Sequence, residues 1–179
     1  MLQKWIGALA ALGVLLGVAT PSQAQLGPFS APLAGGSANT GGATIVQKSV
    51  AAPAGTASVT LVMAGLAVPF QPSYSGQTFV LIQFNHTSSV ATDGGKVQCA
   101  FGTGAAPANG AAFSGTTFGS LKTFTSGTTT PTVEHGSCGG MITLNPTAGI
   151  TYWIDVQFEA VTGGTYTLSN VDITAFEVG

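Results

Sequence analysis

The chain has 179 residues and no arginine. Its 4 lysines stand against 6 acidic residues, for a formal net charge of −2. Only 6% of the sequence is charged, where an ordinary soluble domain carries about 25%. Nothing here builds the basic patch that phosphate or nucleic-acid binding needs, so no nucleic-acid partner is expected. Highly charged disorder is excluded as well, because 45% of the residues are hydrophobic. The 26 glycines follow no period of three, which excludes a collagen repeat. No His-x-His or Cys-x-x-Cys spacing occurs, so no zinc site is signalled. No 11-residue window carries a helical period.

What is present begins with an address. Lys4 precedes an apolar run over 6–19, Pro21 breaks it, and Ser22-Gln23-Ala24 places small residues before a cut after Ala24. That is a secretory signal peptide over 1–24. The run is 14 residues long, short of the ~18–20 that span a bilayer. The protein is therefore read as secreted: periplasmic, cell-surface or extracellular, with no membrane span left after cleavage. Residues 25–42, with two prolines and several glycines, read as a flexible leader or as a strand given to a neighbouring subunit. Residues 43–179 form the domain. Cys99 and Cys138 are the two cysteines, and in an exported chain they are expected to pair.

The pattern from residue 43 onward is β throughout. Strands are expected over 44–50, 57–63, 78–85, 96–101, 116–124, 141–144, 151–161, 165–168 and 171–178. The 151–161 segment alternates most clearly, with Tyr152, Ile154, Val156 and Phe158 on one face and Trp153, Asp155, Gln157 and Glu159 on the other. Asp93-Gly94-Gly95 and Gly163-Gly164 suit hairpin turns. Residues 102–119, rich in Gly and Ala, read as a long surface loop. The fold class is all-β: a single antiparallel β-sandwich, jelly-roll-like, of about 8–10 strands.

Candidate chemistry is sparse. Gly136-Ser137-Cys138-Gly139-Gly140 resembles the nucleophile loop of viral chymotrypsin-like cysteine proteases, with His86 and Asp93 as base and orienter. Only 52 positions separate His86 from Cys138, too few for a two-barrel protease, and a Cys99–Cys138 bridge would remove the nucleophile. No catalytic set is expected, and a cysteine hydrolase is the remote alternative. Glu134 and His135, adjacent on a strand, point to opposite faces and do not chelate together. Asp155, Glu159 and Asp172 could supply oxygen ligands to calcium if their strands pair; no other cofactor or metal is expected. Trp153, flanked by Asp155, Gln157 and Glu159, is either an exposed platform for a sugar ring or partner, or a residue covered on the second face. Asn85-His86-Thr87 is an N-glycosylation sequon.

The stretch Phe101-Gly102-Thr103-Gly104-Ala105-Ala106-Pro107-Ala108-Asn109-Gly110-Ala111-Ala112, then Gly115-Thr116, resembles a loop recurring in uncharacterised bacterial and phage-associated secreted β-sandwich proteins. Thr151-Tyr152-Trp153-Ile154-Asp155, Ala160-Val161-Thr162-Gly163-Gly164-Thr165, Asn170-Val171 and Ala175-Phe176-Glu177 resemble the ends of the same proteins, so the likeness spans about 78–179. It implies a structural protein and carries over no catalytic residue. Low charge on Thr-rich strands points the same way. The function expected is that of a secreted structural or adhesion-type protein that self-associates as a homo-oligomer. A carbohydrate-binding module with Trp153 at a glycan site is the alternative.

Overall fold

The computed structural model describes residues 45–50, 53–128, 132–147 and 149–178. The expected signal peptide and leader lie outside them. Ten strands run in chain order: β1 (Ile45–Val50), β2 (Ala54–Thr56), β3 (Val62–Met63), β4 (Val68–Phe70), β5 (Gln77–Ser88), β6 (Gly94–Thr103), β7 (Thr116–Thr125), β8 (Glu134–Thr143), β9 (Tyr152–Ala160) and β10 (Tyr166–Glu177). No helix occurs among the described residues, so none is long and apolar enough to cross a membrane.

The strands form two antiparallel sheets. The first, sheet A, runs β1-β10-β5-β8, with β2 also on β10; the second, sheet B, runs β3-β9-β6-β7, with β4 also on β9. β1 and β2 lie end to end along β10, opposite Val171–Phe176 and Tyr166–Leu168. β3 and β4 lie end to end along β9 in the same way. Each sheet is thus four strands wide. The pairings nest: β6 with β7, β5 with β8, β9 with β3 and β4, β10 with β1 and β2. This is a long hairpin rolled into two Greek keys, which is a jelly roll.

The sheets close on a core of alternate side chains. β5 turns Val80, Ile82 and Phe84 inward, against Ile154, Val156 and Phe158 of β9 and Leu168, Val171 and Ile173 of β10. Cys99 of β6 and Cys138 of β8 are disulfide-bonded with their Cα atoms 5.9 Å apart. The bridge ties sheet B to sheet A inside this core, and both sulfurs are buried.

Several boundaries differ from expectation, each for a local reason. Residues 57–61 are not a strand, because the chain there crosses from sheet A to sheet B. Ser58 and Thr60 satisfy that crossing with their own side chains: the Ser58 amide donates to Thr56 Oγ1, and the Thr60 amide to Ser58 Oγ. Pro69 masks β4, which tolerates it as an edge strand. Three glycines mask β8 over 134–140; a Cβ at Gly136 would lie 2.4 Å from the Phe84 ring, and one at Gly139 2.4 Å from the Val80 carbonyl oxygen. The two expected final strands are one strand with a register shift between Ser169 and Asp172, where Asn170 takes a φ of 47°. Gly94 and Gly95 belong to β6, and 93–95 and 163–164 are not hairpin turns. They lie where the chain passes from one sheet to the other. The loop expected over 102–119 spans 104–115.

The bridge closes a loop with a sequence separation of 39, which the chain-entropy relation values at about 4 kcal/mol. Reduction, or a Cys99→Ala/Cys138→Ala double variant, is expected to lower unfolding stability by about that amount in guanidinium titrations. A loss below about 1 kcal/mol would show that the bridge does not constrain the unfolded chain.

Candidate functional site

The outward row of β9 sits where alternation places it, but it is not exposed. Trp153 is 5% accessible, Asp155 0%, Gln157 3% and Glu159 7%. Of the two alternatives that the sequence leaves open for Trp153, the covered one holds in the fold. Loop 104–115 folds back over sheet B: the Met63 amide donates to Ala111 O at 2.9 Å, and the Gly110 amide to Met63 O at 2.9 Å. The indole packs with Met63 and Ala100 under Ala111, forming a second, smaller core outside the sandwich. Its Nε1 donates to Thr103 O at 3.2 Å. Gly102 and Gly115 make room for it, since a Cβ there would lie 2.4 Å and 2.7 Å from the ring. Alternation told which face Trp153 takes; it carried no sign of what covers that face.

The rest of the row is equally engaged. Asp155 accepts amide hydrogens from Gly65 at 3.1 Å, Leu66 at 3.2 Å and Val156 at 2.8 Å. Burial nevertheless pushes its pKa up to about 6, against the three amides, which pull it down. Gln157 donates to Gln98 Oε1 at 3.0 Å, and Lys96 Nζ lies 2.6 Å from Glu159 Oε1. These are directly paired residues of β6 and β9. Asp155, Glu159 and Asp172 do not come together, because Asp172 sits on β10 in the other sheet and accepts from the Ser49 hydroxyl. Among the described residues no three His, Cys, Asp or Glu side chains could hold a metal ion. Cys138 is in the bridge, so it offers no thiolate, which ends the cysteine-hydrolase reading.

Two regions remain. The first is the inward end of the sandwich where β5 leaves for β6. The core turns polar there: Thr56, His86, Ser88, Asp93 and Ser126 are all buried. His86 stacks near Phe124, centroids 4.9 Å apart, and Tyr166, 5.6 Å apart. Burial pushes its pKa below the usual histidine range, partly offset by Glu134, whose Oε2 lies 3.9 Å from Nε2. The Tyr166 hydroxyl is driven well above its ordinary pKa, by burial first and by Glu134 second. His86 Nδ1, both Asp93 carboxylate oxygens, Ser126 Oγ and Tyr166 Oη are buried without a hydrogen-bond partner. A serine, a histidine and an aspartate therefore share this end without the mutual hydrogen bonds that a nucleophilic triad requires. Sequence reading singled out neither Ser126 nor Tyr166; only strand pairing brings them here.

The second region is the outer face of sheet A. Register places Phe176, Phe79 and Met141 in one row across β10, β5 and β8, with Thr174, Leu81 and Gly139 in the next. Asp172-Gln83-Ser137 and Ser169-Asn85-His135 follow. The Phe79 and Phe176 rings lie 5.3 Å apart, and Met141 is 51% exposed. Asp172 is the one carboxylate in these four rows.

No protein-family model and no curated protein matches this sequence. Among solved structures, the chain is similar to infectious bursal disease virus, Gx strain, at 8% identity over 78% of this chain and 34% of that one, TM-score 0.46. It is similar to T=1 particles derived from infectious bursal virus at 10% identity over 75% and 36%, TM-score 0.43. It is also similar to Eiger TNF from S. frugiperda at 15% identity over 61% and 63%, TM-score 0.32. The chain spans about a third of the length of the two viral chains.

Asp155 sets a pH dependence. Its pKa is about 6 in the fold against 3.8 as a free side chain, so between those values the folded chain binds more protons than the unfolded one. Stability from this group is present below about pH 4 and is lost as pH rises to about 6, by about 3 kcal/mol. The difference in unfolding free energy between wild type and Asp155→Asn is expected to shift across that window. Parallel pH profiles would contradict it.

Proposed function

We propose that this is an exported structural β-sandwich, without enzymatic activity, that self-associates through the outer face of sheet A at the cell surface or outside the cell. The carrying observation is the row Phe176-Phe79-Met141 with Leu81 beside it, on a face whose first four rows hold a single carboxylate. Flat, apolar and nearly charge-free sheet faces are buried against partners in stable assemblies. The outward face of β9 offers no such surface, because its own loops cover it. The secretory signal read in residues 1–24 supports export, and the scarcity of charge fits a subunit that does not stand alone in water. An adhesive role fits the same exposure at a cell surface.

A carbohydrate-binding role keeps one foothold. A recess of about 380 Å³ at the 104–115 end is lined by Phe101, Thr103, Ser114, Thr116, Tyr152 and Trp153. Uncharged aromatic and hydroxyl groups suit a neutral sugar. The indole Nε1 donates to Thr103 O, and the Tyr152 hydroxyl accepts from the Asn145 amide while its own hydrogen is not used in that bond, so the recess presents the hydroxyls of Thr103, Ser114, Thr116 and Tyr152.

The reading is tested by light scattering over a hundredfold concentration range. Wild type is expected to gain mass above the monomer, and Met141→Asp to need at least about tenfold more protein for the same mass. Because Met141 is exposed, the variant should keep its unfolding stability within about 0.5 kcal/mol. A monomer at every concentration, or equal assembly of the variant, contradicts the proposal.

A further inference from the structure

A sheet edge offers unpaired amides and carbonyls to any extended chain, and folds usually blunt it. In this sandwich β3 is covered by loop 104–115, through the Val62–Ala112 bridge and the Met63 and Gly110 amides. Pro69 interrupts β4, and β2 is only 3 residues long. β7 is bulged: its register on β6 shifts between Val97 and Cys99, and Gly119 takes a φ of 66°. β8 lies against that bulge, where a Cβ on Gly119 would stand 2.6 Å from the Gly139 carbonyl oxygen. β1 has none of these devices. It runs 6 residues in unbroken register on β10, without proline or glycine. Among the described residues nothing pairs with its outer edge.

The ladder tells which backbone groups of β1 face outward. The Val178 amide donates to Gln77 O at 2.8 Å, continuing the β10–β5 register. Residues of an antiparallel strand bond alternately to the neighbour on either side. Phe176, Thr174 and Asp172 therefore bond to β5, and Ala175, Ile173 and Val171 turn their amides and carbonyls to β1. Their partners on β1 are Val46, Lys48 and Val50. Ile45, Gln47 and Ser49 are left with amides and carbonyls directed away from the sheet.

We propose that β1 pairs antiparallel with β1 of a second copy, about a two-fold axis at Gln47, joining the two A sheets into one. In that register Gln47 faces its own counterpart and Ile45 faces Ser49, and each opposed pair exchanges two backbone hydrogen bonds. Lys48, the single charge of the strand, selects the register. Sliding to an axis at Lys48 would set the two ammonium groups directly opposite each other, which is unfavourable. With the axis at Gln47, Lys48 falls opposite Val46 of the second copy, where its stem covers the valine and its head stays in water. This contact stands on the β1 ladder alone and is separate from the outer face of sheet A. It also enlarges that face: register carries the row Phe176-Phe79-Met141 on to position 45, and Thr174-Leu81-Gly139 on to Gln47. A single two-fold contact closes at a dimer, whereas two on different surfaces build larger assemblies from one chain.

Cross-linking tests the register. Opposed hydrogen-bonded residues hold their Cα atoms about 5.5 Å apart, within reach of a disulfide. Under mild oxidation Gln47→Cys is expected to give a covalent dimer, and Ser49→Cys, which faces Ile45, at least about fivefold less. No dimer from Gln47→Cys, or equal yields at the two positions, overturns the pairing even if the sheet A face is found to associate. A second variant needs no new bond. Gln47→Pro removes an amide directed away from β10 and keeps the β1–β10 ladder, so its Tm should stay within about 2 °C of wild type. Sedimentation is then compared in the Met141→Asp background, where the sheet A face is disabled. Met141→Asp is expected to retain a dimer that adding Gln47→Pro converts to monomer. A monomer before Gln47→Pro is added, or a dimer that it leaves intact, overturns the proposal.

Discussion

Most of the architecture follows from having to cover the outward side chains of β9. Trp153, Asp155, Gln157 and Glu159 project away from the sandwich, and each is matched by a specific cover: loop 104–115, the Gly65 and Leu66 amides, Gln98 and Lys96. That requirement explains why β3 and β4 are so short. The chain between them leaves the sheet at Gly65, whose φ is 70°, to present two amides to the Asp155 carboxylate. It also explains the glycines flanking the indole. A sheet covered on both faces at its centre has no binding surface there, whereas sheet A keeps its outer face uncovered at Met141.

Scarce charge sharpens the same logic. Apart from Asp93, each carboxylate described here engages a partner. Glu177 accepts the amides of Ser73, Tyr74 and Gly76 and so shapes the connection into β5. Asp172 takes the Ser49 hydroxyl, Glu134 sits beside His86, and Glu159 holds Lys96. Little remains to decorate the outside of sheet A, where uncharged and apolar side chains meet water across three long strands. Buried in a second copy, that face stops being a solubility problem and becomes an interface.

The sandwich was legible because its long strands alternate over nine to twelve residues, and the disulfide because two cysteines leave one pairing. β4 and residues 134–140 of β8 were not, since Pro69 and the glycines at 136, 139 and 140 lower local β propensity while tertiary contacts demand them. The cover over Trp153 was illegible for a different reason: a loop without period gives no hint of where it lands. The corner at Asp93 and Ser126 joins residues 33 apart through strand pairing alone. The sequence named Asp93 as a turn residue and as a possible orienter, and in the second role the structure gives its carboxylate no hydrogen-bonded partner.

Hydroxyl-radical footprinting across the concentration range of assembly tests the central claim most directly. Met141 on sheet A and Leu121 on β7 of sheet B are similarly exposed, at 51% and 45%. The account predicts that oxidation of Met141 falls as the protein associates while that of Leu121 stays constant. Protection of Leu121 with Met141 unchanged would place the interface on the other sheet and contradict it.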